Sequence, residues 1–353
     1  MKLKDRITAF DVLGKFLKQF IKNSPIDYSL KLLNNKYYNS FNDLIVKLHN
    51  YNPWFTEENI RELINSLVIL LNKASLEKWL SKYSIHAKPA KKIGLVLAGN
   101  IPLVGFHDFL SVLITGNIFI GKLSSKDNKI FPFIKKLLSE INNEFEQLIY
   151  FTEEKLENID AVIATGSDNS ARYFNYYFGK YPNIIRKNRN GIAILNGKET
   201  KSELEKLGKD IFQYFGLGCR NVSKLLVPEK YDYNNLFMAI EKYQHLYNNN
   251  KYANNVDYNR SIYLMNKTPH LDNGFLLLKE ATSLTSPIGV VHYSFYSAKN
   301  EINSYIADNT DKIQCIVSHI SSIKNVIPFG QSQYPKLWDY ADGIDTINFL
   351  TKL

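Results

Sequence analysis

Apolar residues recur every three or four positions through residues 1–90, most clearly in ENIRELINSLVILLNKASLEKWLSKY, and that spacing predicts amphipathic helices. Thr56, followed by Glu57 and Glu58, marks a helix start. From residue 93 the period changes. IGLVLAG (93–99) is a continuous apolar run of strand type, and VGFHDFLSVLITG (104–116) is helix-like. NIFIGKL (117–123) reads as a second buried strand, KIFPFIKKLLSEINNEF as a helix, LIYFT as a strand and DAVIATG (160–166) as another. SDNSARYFNYYFGKY then reads as a helix and NIIRK as a strand. Buried strands alternating with long helices imply right-handed crossovers and a parallel, doubly wound sheet, which takes ligands at the carboxyl ends of its strands.

Beyond residue 190, GIAILNG reads as a strand and TKSELEKLGKDIFQYF as a helix that leads into FGLGCRN (215–221). SKLLVP, a Tyr/Asn-rich helical stretch to about residue 250, and the apolar segments SIYLMN, FLLLKEA, GVVHYSFY and CIVSHI come next. This half predicts a second α/β unit. The breaks fall at 1–90, a helical region packed on the sheet domain; 91–190, the parallel sheet; 191–325, the second unit; and 326–353, a C-terminal segment rich in aromatic residues and turn formers. No internal repeat is visible.

Composition narrows the function classes. Hydrophobic residues make up 45% and charged residues 22% of 353, the balance of a globular protein, and no apolar run approaches the ~20 residues a membrane helix needs. Cys219 and Cys315 are the two cysteines; they give no disulfide framework and suit a reducing cytoplasm. The net charge of +10 is spread along the chain rather than gathered, so no nucleic-acid partner is expected. The same diffuse charge favours acidic partners, such as a phosphate-bearing cofactor or an acidic carrier protein. The seven histidines form no HxxxH pair and the cysteines no CxxC, so no metal is expected, and no GxSxG supports serine hydrolysis.

Three stretches carry candidate chemistry. Gly116 to Lys122 comes near a Walker A loop, but Leu123 replaces the required hydroxyl and the residues between the glycines are strand-like. Thr165-Gly166-Ser167 ends a predicted strand and opens a helix, where backbone N–H groups attract anions; an ordinary serine cap is the plainer reading. Lys122 falls at the same sheet edge. Cys219 sits between a Gly-x-Gly turn and Arg220-Asn221, a setting that can present a thiolate nucleophile.

In order, these motifs resemble the aldehyde dehydrogenase superfamily and, within it, the LuxC-type acyl-CoA reductase family. GNIP (99–102) resembles that superfamily's Trp-Asn-Phe-Pro, and GNIFIGKLSS (116–125) its Gly-Asn-Thr-Val-Val-Leu-Lys-Pro-Ala-Glu. ATGS (164–167) is similar to Phe-Thr-Gly-Ser, FGLGCRN to the loop of the catalytic cysteine, and SPIGVV (286–291) and PFG (328–330) to late segments of the fold. The resemblance implies an aldehyde-dehydrogenase-like α/β architecture, with a Rossmann-type parallel-sheet cofactor domain and a second α/β catalytic domain. It makes Cys219 the nucleophile, with the Asn100 amide and the Cys219 N–H as oxyanion donors and His107 as candidate proton donor to the leaving thiolate. Lys122, Ser124 and Ser125 then serve the adenosine ribose, Gly166 and Ser167 the pyrophosphate, and Glu280 the nicotinamide ribose, although Glu280 is offset from the usual spacing.

Departures from the family pattern refine the expectation. RKNRNG (186–191) stands where aldehyde oxidisers carry the glutamate that activates water, so an acyl-enzyme should outlast hydrolysis. Ser125 and Lys126 stand where NAD-preferring members carry an acid, which leans the cofactor to NADPH, with NADH as the second choice. The expected reaction is reduction of an acyl thioester, from CoA or an acyl carrier protein, to an aldehyde, with a possible acyl-transfer partner protein. Alternatives are a cysteine-dependent acyl-transferase or thioesterase, and a non-catalytic CoA- or carrier-binding relative. Arg220 reads equally as a cation near the thiol or a structural pairing group, and Cys315 as a buried small hydrophobe. The superfamily commonly self-associates, so a homo-oligomer is possible.

Overall fold

A computed structural model of the chain describes every residue except Ala87, and of Asp168 the backbone alone. The chain divides into two compact units, Met1–Lys187 with Lys336–Leu353, and Asn188–Pro335. The segment from 326 onward is therefore shared, its last eighteen residues belonging to the first unit.

In the first unit, α1 (Leu3–Lys18), α2 (Lys31–Tyr51), α3 (Glu57–Leu70) and α4 (Lys73–Leu80) are the helices that the periodicity predicts. The Thr56 hydroxyl accepts the Asn59 N–H and caps α3 as expected. The long apolar run does break: Asn72 caps a separate helix, α4, through Ser75. The sheet comes next, as β1 (Lys92–Val96), α5 (Phe106–Ile114), β2 (Ile118–Lys122), α6 (Ile130–Ile141), β3 (Ile149–Phe151), β4 (Ala161–Thr165), α7 (Asp168–Phe178) and β5 (Asn183–Arg186). Its order is β3-β2-β1-β4-β5, and every pair is parallel. This is the doubly wound arrangement read from the sequence. Ile93, Leu95, Phe119 and Ala161 are wholly buried in it, and α5 buries eight of its nine residues.

The second unit contains β6 (Asn190–Ile194), α8 (Lys201–Phe212), β7 (Val222–Pro228), α9 (Tyr233–Ile240), α10 (Asn250–Met265), β8 (Leu271–Asp272), β9 (Leu277–Glu280), β10 (Val290–Tyr296), α11 (Lys299–Asp308), β11 (Ile313–Val317) and β12 (Val326–Ile327). The order is β12-β11-β6-β7-β10-β9-β8, parallel except for β8 against β9. SIYLMN is the last part of α10 rather than a segment of its own, because Val256, Asn259 and Tyr263 continue one buried helical face. The chain then returns to the first unit as α12 (Thr346–Thr351). Among the described residues no helix is long and apolar enough to cross a membrane.

Candidate active site

The loop that carries Cys219 begins where α8 stops. Tyr214 (φ 53°), Phe215 (φ 58°) and Gly216 (φ 75°) are left-handed in succession, and the first two carry a steric cost of roughly 1–2 kcal/mol each. Asn221 holds this reversal. Its Nδ2 donates to the carbonyls of Asp210 (3.0 Å), Ile211 (3.3 Å) and Gln213 (2.9 Å), satisfying the end of α8, and its Oδ1 accepts the Gly218 N–H at 2.8 Å. The Phe215 ring is buried 5.8 Å from that of Tyr252. Gly191 of β6 is required here, because a Cβ would fall 2.7 Å from the Arg220 and Asn221 carbonyl oxygens. Cys219 is left exposed at the tip.

A second set of bonds ties the loop to the 328–332 turn. Arg220 Nε donates to the Ser332 carbonyl at 2.6 Å, and the buried Asp210 carboxylate accepts the N–H groups of Gly330 (2.6 Å) and Ser332 (2.9 Å). Arg220 thus has a structural pairing. The Cys315 Sγ lies 3.6 Å from the Arg220 carbonyl, and burial pushes its thiol up to about 12. Both cysteines are free thiols.

Cys219 opens on a cavity of about 190 Å³ within the second unit, at the amino ends of β6, β7 and β10. Phe212, Phe215, Tyr252, Leu276 and Val290 make its apolar wall; Asn188, Arg189, Asn190, Thr285 and Ser286 supply polar groups. None of the described lining residues is Asp, Glu or His. One wall continues from a strap whose acceptors are taken in turn by the sheet. Lys224 Nζ and Ser294 Oγ donate to the Ala281 carbonyl, His292 Nδ1 bonds the Ser283 carbonyl at 3.0 Å, Ser223 Oγ donates to Leu284 O at 2.8 Å, and Asn190 Nδ2 donates to Thr285 Oγ1 at 2.9 Å. Lys224 is buried in the central strand β7, and that burial pulls its ammonium down to about 8 against the opposing pull of Glu280.

Glu280 is not brought to this cavity. The register pairs it with Tyr293, three residues past the level of Val290 and Val222, or roughly 10 Å along the strands from the cavity end. Its position at the end of β9 leaves it exposed.

The other expected site residues gather in the first unit, at the carboxyl ends of the neighbouring strands β2, β1 and β4, where the strand order reverses. Asn100 lies in the exposed turn after β1. Lys122 ends β2, its Nζ donating to the Glu154 carbonyl at 3.2 Å. Ser124 Oγ accepts the Lys126 N–H, and Ser125 and Lys126 are exposed beside it. Gly166 comes after β4, where a Cβ would strike Ser170 and Phe174, and Ser167 caps α7 through the Ser170 N–H at 3.2 Å. Two hydroxyls, a lysine and a helix amino end on one strand edge form a donor set of the chemistry that a phosphate-bearing dinucleotide needs.

His107 does not belong to that edge. Its Nε2 lies 2.8 Å from the Leu337 carbonyl and its ring packs against Trp79 and Tyr340. Burial pushes its pKa below the usual value, so the ring is neutral and spends its N–H on a carbonyl. A neutral imidazole so committed is a poor proton donor.

The sequence model of the acyl-CoA reductase (LuxC) family matches residues 11–275. The chain belongs to that family. No curated protein matches it. Among solved structures, this LuxC-family chain is similar to aldehyde dehydrogenase 21 from Physcomitrella patens, in complex with succinate, at 13% identity and a TM-score of 0.67 over 100% of this chain and 84% of that one. It is also similar to lactaldehyde dehydrogenase from Escherichia coli (13%, TM-score 0.58, 86% and 72%). A Mycobacterium tuberculosis aldehyde dehydrogenase complexed with NAD⁺ gives 13%, TM-score 0.54, 86% and 76%. These likenesses show the aldehyde dehydrogenase fold.

Sequence reasoning missed four residues that shape the site of this LuxC-family member. Asn221 lies inside FGLGCRN, yet its bonds to α8 depend on a three-residue left-handed reversal with no sequence signature beyond Gly216. Asp210 and Lys224 are charged residues in apolar runs, a signal of buried pairing that could have been pursued. Asp127 comes just after the Ser124-Ser125 turn and is likewise buried.

Proposed function

We propose that the protein is an NADPH-dependent acyl thioester reductase that forms its acyl-enzyme on Cys219. The observation that carries this reading is the Cys219 cavity, whose described lining contains no carboxylate and no imidazole. Among the described lining residues, a thioester held there meets no carboxylate or imidazole to deprotonate water. It therefore persists for reduction rather than hydrolysis, which favours a reductase over a thioesterase.

Cys219, exposed at the tip of a loop clamped by Asn221, attacks the carbonyl carbon of the acyl thioester. The C–S bond to the departing thiol breaks, and the acyl group passes to the Cys219 sulfur. The Cys219 N–H is the proposed oxyanion donor, lowering the barrier by about 3–4 kcal/mol. A bound nicotinamide supplies the hydride, and the aldehyde leaves as the Cys219 thiolate is regenerated. Lys122, Ser124, Ser125 and the amino end of α7 are the proposed cofactor contacts.

The preference for NADPH rests on the turn after β2. Ser125 and Lys126 are exposed there, whereas the carboxylate next in sequence, Asp127, is buried and bound to the Leu103 N–H, which keeps it from a ribose 2′-hydroxyl. The test is oxidation of NADPH and NADH at 340 nm with acyl-CoAs of graded length, for the wild type and Cys219→Ala. Acyl-CoA-dependent oxidation that disappears in C219A is the expected result. Thiol release without cofactor oxidation would make the protein a transferase or thioesterase instead.

A further inference from the structure

The connection between α1 and α2 turns apolar side chains outward. Ile26, Tyr28 and Leu32 fall within seven residues and are 43%, 86% and 82% exposed. Tyr28 opens a 3-10 turn (Tyr28–Leu30) that runs directly into α2 at Lys31, so Tyr28 and Leu32, about one turn apart, share a face. The backbone beneath them is held from within. Gln19 is buried, and its Oε1 accepts the Asp27 N–H at 2.9 Å and an Asn34 Nδ2 hydrogen at 3.0 Å. Asn34 Nδ2 also donates to the Asp27 carbonyl at 2.8 Å, and Arg61 donates to the Phe20 carbonyl at 2.7 Å. With residues 19–34 fastened in this way, the three side chains cannot fold back onto the core without breaking these bonds.

Single exposed apolar residues are ordinary, but three on one fastened segment mark an interaction surface. Side chains as exposed as Tyr28 and Leu32 protrude, a shape that suits insertion among acyl chains better than the flat face of a protein. The surroundings are basic. Between residues 12 and 42 the chain carries five lysines and one acid, Asp27. Lys18, Lys22 and Lys31, which flank the apolar residues along the chain, are exposed, whereas Lys15 is paired with Asp11 and Lys36 with Glu140. The Asp27 carboxylate is spent on the Ser29 N–H and hydroxyl, which hold its pKa below the ordinary value with help from the charges of Lys15 and Lys18.

We propose that residues 18–32 form a peripheral membrane-docking tip, in which Ile26, Tyr28 and Leu32 enter an anionic bilayer while Lys18, Lys22 and Lys31 meet its phosphates. Tyrosine is amphipathic and settles at headgroup level, and lysine stems lie along apolar surface with the ammonium group outward.

The experiment is co-sedimentation of the full chain with vesicles of phosphatidylglycerol and phosphatidylcholine in equal parts, and with vesicles of phosphatidylcholine alone. Binding to the anionic vesicles is expected, with a partition coefficient at least about tenfold above that for phosphatidylcholine and a steep fall as salt is raised. Tyr28→Ser with Leu32→Ser should lower the coefficient by about 30–100-fold. Lys18→Glu with Lys22→Glu should lower it by about 25-fold or more, at roughly fivefold for each charge lost. Tyr173→Ser with Tyr176→Ser, a pair exposed on α7, should leave it unchanged. All the substituted side chains are exposed, so thermal midpoints should stay at the wild-type value and the losses are read on folded protein. The proposal is overturned if the anionic vesicles bind nothing, if neutral vesicles bind as well as anionic ones, or if the α7 pair weakens binding as much as Y28S/L32S. Self-association that Y28S/L32S abolishes, with no vesicle binding, would make the face a contact between copies of this chain instead.

Discussion

Two thiols with opposite surroundings give the simplest prediction at the scale of single residues. Cys219 is exposed, whereas Cys315 is buried and its thiol is raised to about 12. Titration with a thiol reagent should modify one cysteine in the native protein and the second only on unfolding, and Cys219→Ala should remove the fast phase. Asp127 gives a pH prediction. Burial raises its pKa to about 7 from 3.8, against the lowering effect of the Leu103 N–H. Between those values the folded chain binds more protons than the unfolded chain, so stability is full below about pH 4 and is lost as the pH rises through 7. The slope is at most about 1.4 kcal/mol per pH unit. Urea midpoints at pH 5 and pH 8 should therefore fall further for wild type than for D127N. Lys126 offers a third check: K126A should weaken NADPH binding more than NADH binding, read as the ratio of the two Kd values.

At the scale of elements, the end of α8 and the Cys219 loop form one hydrogen-bonded object around Asn221. Asn221→Ala leaves three helix-end carbonyls and the Gly218 N–H without this partner. A loss of about 2–4 kcal/mol is expected, with the acylation rate constant falling more than binding, measured by chemical denaturation and by the thiol-release assay. The motif FGLGCRN was legible as a cysteine loop from its glycines and its place after an amphipathic helix. That Tyr214 and Phe215 also turn left-handed was not legible, because aromatic residues are not selected for that conformation. It is imposed by burying both rings while Asn221 holds the backbone. The first-sheet residues were legible as a group, since Asn100, Lys122 and Gly166 each end a predicted strand or come directly after one. The surroundings of Glu280 and His107 were not legible, because sequence distance from a motif says nothing of strand register or of what a ring packs on.

The whole molecule is two units, the first closed by a segment that comes last in the chain. Arg186, at the end of β5, pairs with Asp108 of α5 through both carboxylate oxygens and also bonds Thr346 Oγ1 at 3.1 Å, with all three residues buried. Trp79 Nε1 donates to the Tyr340 hydroxyl at 2.7 Å, and Tyr83 donates to Asp345 at 2.8 Å. Leu337, Ile347 and Leu350 are almost wholly buried, a contribution of roughly 1.5–3 kcal/mol each. Breaking a buried ion pair costs about 3–5 kcal/mol. Removing 336–353 should thus consume most of a typical stability of about 5–15 kcal/mol. Limited proteolysis of such a truncation should degrade residues 1–187 and spare 188–335; equal resistance of both parts would contradict this account. Asp108→Ala should produce a milder version of the same pattern.

The alternation of short apolar runs with amphipathic stretches determined the helices, the parallel sheets and their order along the chain. Those features come from local periodicity, because burying an apolar face requires a fixed spacing whatever the partner. Cys219, Asn100, Lys122, Gly166 and Ser167 could likewise be singled out from residue type at an element end. Only the tertiary structure decided which strand ends share an edge, that the cysteine cavity opens at the amino ends of its sheet, and that the last segment closes the first unit. It also decided the partners of buried polar groups: Asp127 on Leu103, Asp210 on the 328–332 turn, Lys224 on Ala281 and Arg186 on Asp108. A buried charge must find its partner across the fold. The segments that supply such partners lie tens or hundreds of residues apart, beyond the reach of any local pattern.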